Sequence, residues 1–452
     1  MKTRIASGLS SVCCALVLLT QTSQAETLQD IYAQALANDH RFKAAQAQRD
    51  AGVENRGITR AGLLPQIAGT ADWSKTRLDT EVATQTRPAG KYDLESTGYG
   101  ASLRQSIIDL STWYNYSRGK ALADTAEAQF VLAQEDLILR TANAYFAALQ
   151  AVDNLATAKA EQDALAHQLE QTKQRFAVGL TAITEVHEAQ AAYDSATANR
   201  LVAEGSLGIA FEALEVLTGQ SYSGLSPLSE QFPVTPPEPL NRDEWVKLAL
   251  DNNASLKAAW FAAQSAEASA KAAKSAHLPT LTGSLTYGHS EQELEDISIE
   301  DQNAATVRLD LSVPLFSGGG ISASRRQAAA QYVQARETYL QTQRDTVQNT
   351  RSRHLDVLTT AATVKARLQA ITSSRSALEA TQAGYEVGTR DLVDVLNAQR
   401  NLYIAQRDYY NALYSYVLAT LQLKQAAGVL VAADVSELDQ WLDKSRTVNY
   451  TP

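Results

Sequence analysis

Hydrophobic positions along this chain follow two periods, and they divide it into two kinds of segment. Over long stretches apolar residues recur at seven-residue steps, as in Phe130 and Leu137, Leu139 and Phe146, Tyr145 and Val152, and Leu169 and Phe176, with alanines and polar residues between them. That spacing predicts coiled-coil-like helices whose small side chains allow close packing. No proline interrupts Ser111 to Gly224, Leu240 to Leu278 or Ile321 to Thr451, as long helices require. From Ser111 to the Val178-Gly179 break, about 1.5 Å per residue gives a rod of roughly 100 Å. Gly179 and Gly388 suit the left-handed turn between antiparallel helices.

Four segments switch to period two. Ile67, Gly69, Ala71 and Trp73 alternate with Ala68, Thr70, Asp72 and Ser74; Tyr99, Ala101 and Leu103 alternate with Gly100, Ser102 and Arg104. Leu281, Gly283, Leu285 and Tyr287 stand against Thr282, Ser284 and Thr286, and Val307, Leu309, Leu311 and Val313 against Arg308, Asp310 and Ser312. Each reads as a strand of about 10 residues with one apolar and one polar face, the pattern of a tilted strand in a membrane barrel with a wet lumen. Four strands are too few to close, and an open edge in lipid leaves unpaired amides that each cost several kcal/mol. If these strands lie in a membrane, other copies complete the sheet: eight strands in a dimer, twelve in a trimer.

The chain is also one unit used twice. Ala35-Leu36-Ala37-Asn38 returns as Ala249-Leu250-Asp251-Asn252, Lys43-Ala44-Ala45 as Lys257-Ala258-Ala259, and Leu64-Pro65 as Leu278-Pro279. Val178-Gly179-Leu180 returns as Val387-Gly388-Thr389, Glu185-Val186 as Asp394-Val395, Ala189-Gln190 as Ala398-Gln399, and Gly219 as Gly428. The offset shortens between the two sets, across the strand-loop-strand region where loop length is free. Pro227, Pro233, Pro236, Pro237 and Pro239 make a stiff, non-helical connector between the halves. The expected layout is a signal peptide over 1–25, repeat 1 over 26–226, the connector over 227–239, repeat 2 over 240–428 and a C-terminal segment over 429–452. Each repeat comprises a helix, two strands and a long helical hairpin.

Lys2 and Arg4, the apolar run Val12 to Leu19, and Ser23-Gln24-Ala25 predict that secretory signal, cleaved after Ala25. Cys13 and Cys14, the only cysteines, leave with it. No later stretch is apolar and long enough for a transmembrane helix, so an exported chain of this kind enters a membrane only as a β-barrel. The formal charge of −10 argues against a nucleic-acid partner. Ser317-Gly318-Gly319-Gly320 lacks the Lys-Ser/Thr of a phosphate loop. The six histidines (40, 167, 187, 277, 289 and 354) show no ligand-like spacing. No nucleophile–base pair, metal site or cofactor is expected, and an enzyme is the least favoured class.

The stretch Gly384-Tyr385-Glu386-Val387-Gly388-Thr389-Arg390, continuing through Leu392-Val393-Asp394-Val395-Leu396-Asn397-Ala398-Gln399, resembles the TolC family of outer-membrane efflux and secretion channels. So do Arg175-Phe176-Ala177-Val178-Gly179-Leu180, Ile183-Thr184-Glu185-Val186 and the turn Leu315-Phe316-Ser317-Gly318-Gly319. The resemblance covers essentially all of the chain after the signal. It implies an α+β membrane protein: long antiparallel helical hairpins forming an α-barrel, with four transmembrane strands per chain completing a twelve-stranded barrel in a homotrimer. It further implies an outer-membrane, lipid-embedded channel whose helices extend into the periplasm, opened when a periplasmic adaptor and an inner-membrane transporter dock. Docking falls to the tips Val178, Gly179, Leu180, Val387, Gly388 and Thr389.

The resemblance assigns gate roles to Tyr385 and Arg390 on the inner hairpin, bonded to Thr184 and Glu185 on the outer one. Asp394 falls at a charged ring, and Asn397 at a companion position where the best-known members carry a second aspartate. Read without the resemblance, Tyr385 is helix packing and Arg390 with Asp394 a surface pair worth about 0.3–0.5 kcal/mol. The rival reading of the whole chain is a soluble periplasmic coiled-coil scaffold or adaptor. Two further expectations concern the sheet: that Glu291 to Asp301 is an acidic outward loop, and that Trp113, Tyr114 and Tyr116 form part of an aromatic girdle.

Overall fold

The computed structural model describes residues 26–83, 89–229, 231–294 and 297–449. The signal-peptide reading of 1–25 lies outside these residues, as do Glu295 and Asp296 of the acidic segment.

Each half begins with short helices. In the first, α1 (Leu28–Asn38), α2 (His40–Val53) and α3 (Asn55–Ala61) lead into β1 (Gln66–Thr80) and β2 (Gly90–Ile108). In the second, α6 (Arg242–Asn252) and α7 (Ala254–Ser275) lead into β4 (Thr280–Leu294) and β5 (Ile297–Ser312). The leading helix is thus broken in both halves, and at equivalent residues. Asp39 and Asn253 each end one helix with extended backbone and cap the next, accepting from the amides of Phe42 and Leu256.

The long rods follow the strands. α4 (Leu110–Ala177) is 68 residues and α8 (Gly320–Glu386) is 67. Asp109 caps α4 by accepting from the amides of Ser111 and Thr112. α5 (Ile183–Thr218) and α9 (Leu392–Ala426) run back antiparallel to them. The C-terminal part holds α10 (Ala432–Asp439) and β6 (Val448–Asn449), which pairs with β3 (Gly224–Leu225).

β1, β2, β4 and β5 form one antiparallel sheet in the order β1-β2-β4-β5. The two hairpins therefore join through β2 and β4, with Arg104 opposite Ser284, and β1 and β5 are left as edges. The strands are 15 to 19 residues long, not about 10. The expected acidic loop is also corrected: Glu291 and Glu293 belong to β4, and Glu300 and Asp301 to β5, with Glu291 paired to Asp301. Backbone pairing continues past the apolar band because charged side chains on these outer halves find partners across the strands. Arg77 meets Asp93 at 2.8 Å, and Lys75 meets Glu95 at 3.8 Å.

The main core sits midway along the rods. Tyr145, Phe146 and Leu149 of α4 pack with Val357 of α8, Leu214 of α5, Tyr414 and Val417 of α9, and Leu28 and Ile31 of α1. Tyrosines tie the connecting segments to it: the Tyr145 hydroxyl donates to the Ser226 carbonyl at 2.7 Å, and the Tyr416 hydroxyl to the Thr235 carbonyl at 2.8 Å. Trp245 Nε1–H donates to the Pro239 carbonyl at 2.7 Å. Toward the helical tips a small separate cluster forms around Leu165, Leu169, Ala189, Ala196, Leu392 and Leu396.

Candidate functional site: a one-sided sheet and paired helical tips

The sheet presents its odd-numbered residues on one face. Ile67 is 75% exposed and Val307 79%, and Leu285, Leu309 and Leu311 are exposed on the same face. Such a continuous apolar surface needs an apolar medium or another protein to cover it. The opposite face carries Thr70, Asp72, Ser102, Arg104, Ser284, Thr286, Arg308 and Asp310. Trp73, Tyr99 and Tyr287 mark the upper limit of the apolar face, with Tyr99 stacked on His289 at 4.8 Å between ring centres. Trp113, 6.3 Å from Tyr116, marks the helical side in the first turns of α4. Among the described residues no helix is long and apolar enough to cross a membrane.

At the far end of the rods the two tips share one backbone design. In the first, the amides of Gly179 and Leu180 donate to the carbonyls of Phe176 and Arg175; in the second, those of Gly388 and Thr389 donate to Tyr385 and Gly384. Both are Schellman closures, which need a left-handed residue, and Gly179 (φ 76°) and Gly388 (φ 77°) supply it. The turns leave their apolar residues in solvent: Val178 is 70% exposed and Val387 75%, with Leu180 similarly bare. Hence all six tip residues stand at the extreme end of the helices.

One turn inside the tips, the two hairpins are tied together. The Tyr385 hydroxyl donates to Glu185 Oε2 at 3.0 Å, linking α8 to the first turn of α5. Burial is the main reason the Tyr385 phenol is pushed above its ordinary pKa, and the Glu185 carboxylate adds to it. Arg390 does not join this contact; its guanidinium lies 3.3 Å from Asp394 Oδ2, one turn along its own hairpin. Thr184 and Asn397 are both exposed. Asp394 Oδ2 receives Arg390, while its backbone amide donates to the Asp391 cap.

Arg175 belongs to the same contact and went unread in the sequence. Its guanidinium sits 4.9 Å from the centre of the Tyr385 ring, so a cation covers the ring whose hydroxyl serves Glu185. The duplication does not point to it. Repeat 2 has Gly384 at the equivalent position, and there the aliphatic stem of Arg390 fills the space, 2.8 Å from where a Cβ would stand.

A one-sided four-stranded sheet on two long helical hairpins describes a known architecture, and comparison with known proteins names it. A profile described as "Outer membrane efflux protein" matches residues 31–220 and 245–429, one stretch in each half. The chain belongs to this family. It is 39% identical over 434 residues to "Outer membrane protein TolC" of Vibrio cholerae, covering 95% of this chain and 97% of the relative. It is 31% identical to "Alkaline protease secretion protein AprF" of Pseudomonas aeruginosa, covering 93% and 88% of the two chains. Among solved structures, the outer membrane protein VceC of Vibrio cholerae superposes with a TM-score of 0.78 at 21% identity, over 89% of this chain and 96% of that one. The Campylobacter jejuni CmeC outer membrane channel superposes with a TM-score of 0.76 at 19% identity, over 98% and 99%. This family member is an outer-membrane channel protein, with its sheet in the membrane and its helices in the periplasm.

Proposed function

We propose that three copies of this chain form a passive export duct that serves tripartite efflux or one-step secretion. The observation that carries this reading is the four-stranded sheet with one exposed apolar face and two unpaired edges. An even number of alternating strands lets identical copies join edge to edge with antiparallel pairing throughout, and three give twelve strands. Outer-membrane lipid covers the odd face, and the even face lines a wet lumen.

The layout assigned from the repeats serves this duct. Each repeat, 26–226 and 240–428, gives a strand pair and a hairpin; the connector 227–239 and the segment 429–452 belt the middle. The tips Val178, Gly179, Leu180, Val387, Gly388 and Thr389 receive a periplasmic adaptor, and an inner-membrane transporter supplies the energy. Closure rests on Tyr385 with Glu185, supported by Arg175. Arg390 braces the inner hairpin through Asp394, Thr184 adjoins Glu185 on the outer one, and Asp394 with Asn397 narrows the pore by one ring of charge and one of amide. The family profile described for efflux and the relative named for protease secretion support the class of machine and leave its cargo open. A soluble periplasmic scaffold leaves the apolar face of the sheet without a medium.

Fractionation tests this reading. The expected result is a heat-resistant trimer in outer-membrane vesicles that conducts ions in a planar bilayer. Recovery of a soluble periplasmic monomer without conductance would refute it.

A further inference from the structure

The two sheet edges are complementary to each other, and that complementarity specifies how copies meet. Gln66, Arg104, Ser284 and Arg308 lie in one row across the sheet. If this row simply continued into a second copy, Arg308 of β5 would face Gln66 of the next β1. Trp73 would then face Asp301, and Leu309 and Leu311 would lie beyond the start of β1. Barrels do not close that way, because tilted strands slip by a fixed shear on each circuit.

Resting on the trimeric channel reading, we infer that β5 of one copy pairs antiparallel with β1 of the next, with Arg308 opposite Asp72. The slip from Gln66 to Asp72 is even, so every side chain keeps its face. On the lumen side it sets a cation opposite an anion; among the described residues neither Arg308 nor Asp72 has an ion pair within its own chain. On the lipid side it sets Trp73 opposite Val307, Ala71 opposite Leu309 and Gly69 opposite Leu311, so the apolar bands meet and small residues face large ones. Toward the exposed ends Asp79 faces Asp301, where each already has an in-chain neighbour: Lys91 at 3.5 Å and His289 at 3.6 Å.

Barrel geometry is compatible with a slip of this size. Three slips of this size give a shear of about 18 over twelve strands. With about 3.3 Å per residue along a strand and 4.8 Å between strands, that tilts the strands by about 46°, close to the upper limit of about 45° usual for barrels. No slip at all corresponds to untilted strands, which closed barrels do not show.

Disulfide trapping of the full chain in outer-membrane vesicles tests the register, since the two natural cysteines, Cys13 and Cys14, belong to the segment read as a cleaved signal. Ser74→Cys is combined in turn with Thr306→Cys, Ala304→Cys, Gln302→Cys and Glu300→Cys. Oxidation should link neighbouring copies through the Ser74–Thr306 pair. A two-residue displacement moves the partner by about 6.6 Å, outside disulfide range, so the others should fall to background. Strongest linkage at Glu300, Gln302 or Ala304, in a protein that is still trimeric, overturns the register and leaves the channel intact. A monomer by native mass spectrometry overturns the channel reading and the seam with it. Charge reversal gives a second readout: Asp72→Arg or Arg308→Asp alone should lower the heat-resistant trimer fraction, and the double reversal should restore it. Failure of the double variant to exceed both single ones would also overturn the pairing.

Discussion

Replacing Tyr385 by Phe keeps the ring under Arg175 and removes only the hydroxyl that donates to Glu185 at 3.0 Å. A hydrogen bond to a charged group contributes about 1.5–3 kcal/mol when buried, and the partial exposure of this pair reduces that to about 1–1.5 kcal/mol. Three hairpin pairs opening together multiply the loss to about 3–4.5 kcal/mol, a shift of roughly 150- to 2000-fold toward the open end. Arg390→Ser provides the contrast. Its contact with Asp394 stays within one hairpin and contributes about 0.3–0.5 kcal/mol to that helix, so within a single copy it holds nothing shut. Single-channel recording in planar bilayers separates the two variants. Y385F should raise the conductance of the closed end strongly, with E185Q intermediate because a neutral acceptor remains. The reasoning fails if Y385F conducts like the parent. Should R390S alone match or exceed Y385F, Arg390 would instead be acting across the boundary between copies.

Other expectations concern the rods. Glu135 is 3% exposed in α4, and its carboxyl is pushed up to about 7 by burial, with Lys257 offsetting only part of the effect. A raised carboxylate stabilises the fold below its unfolded value and loses that contribution as pH rises through 7. Glu135→Gln should therefore flatten the fall in melting temperature between pH 5 and 8, and gain about 1–3 kcal/mol at the alkaline end. An unchanged pH profile would remove Glu135 from the account. Gly119→Ala would put a Cβ 2.6 Å from the Asn55 carbonyl and closer still to the Thr59 hydroxyl, so α3 must move away from α4. The expected loss is about 1–3 kcal/mol in denaturant titration, and a neutral result would show that the interface gives way freely. Arg175→Met keeps the aliphatic cover on Tyr385 and deletes the cation; a loosening about tenfold weaker than that of Y385F, read by the same conductance assay, is expected.

The helical part of this fold was legible because its signals are local. Seven-residue steps, proline-free spans and a glycine at each tip need no tertiary information. The strands were legible only where lipid imposes alternation. Beyond Trp73 the outward positions become Lys75, Arg77 and Asp79, and the period-two signal vanishes although the backbone ladder continues through cross-strand ion pairs. Glu291 and Glu293 read as a loop for the same reason. The neighbouring of β2 and β4 could not be read, because four helices separate them in the chain. At the tips, Tyr385 and Glu185 stand 200 positions apart, and only the family resemblance pointed to their contact; from the residues alone Tyr385 read as helix packing. Arg175 could not be named in advance: its partner is a ring face, and the matching position in the other repeat is a glycine.

The uneven distribution of the core has a mechanical consequence. Side chains around Tyr145 and Tyr414 clamp the rods at mid-length, while the cluster toward the tip end is much smaller. From Phe146 to Val178 is about 48 Å of helix, so each hairpin is a lever with its fulcrum at the belt. A rotation of about 10° there swings the tip by about 8 Å without breaking a helical hydrogen bond. Resistance to that swing is concentrated at the free end, where one tyrosine hydroxyl acts with the longest moment arm. A weak bond placed there can restrain a long rod, and a partner that grips the same end needs little force to release it.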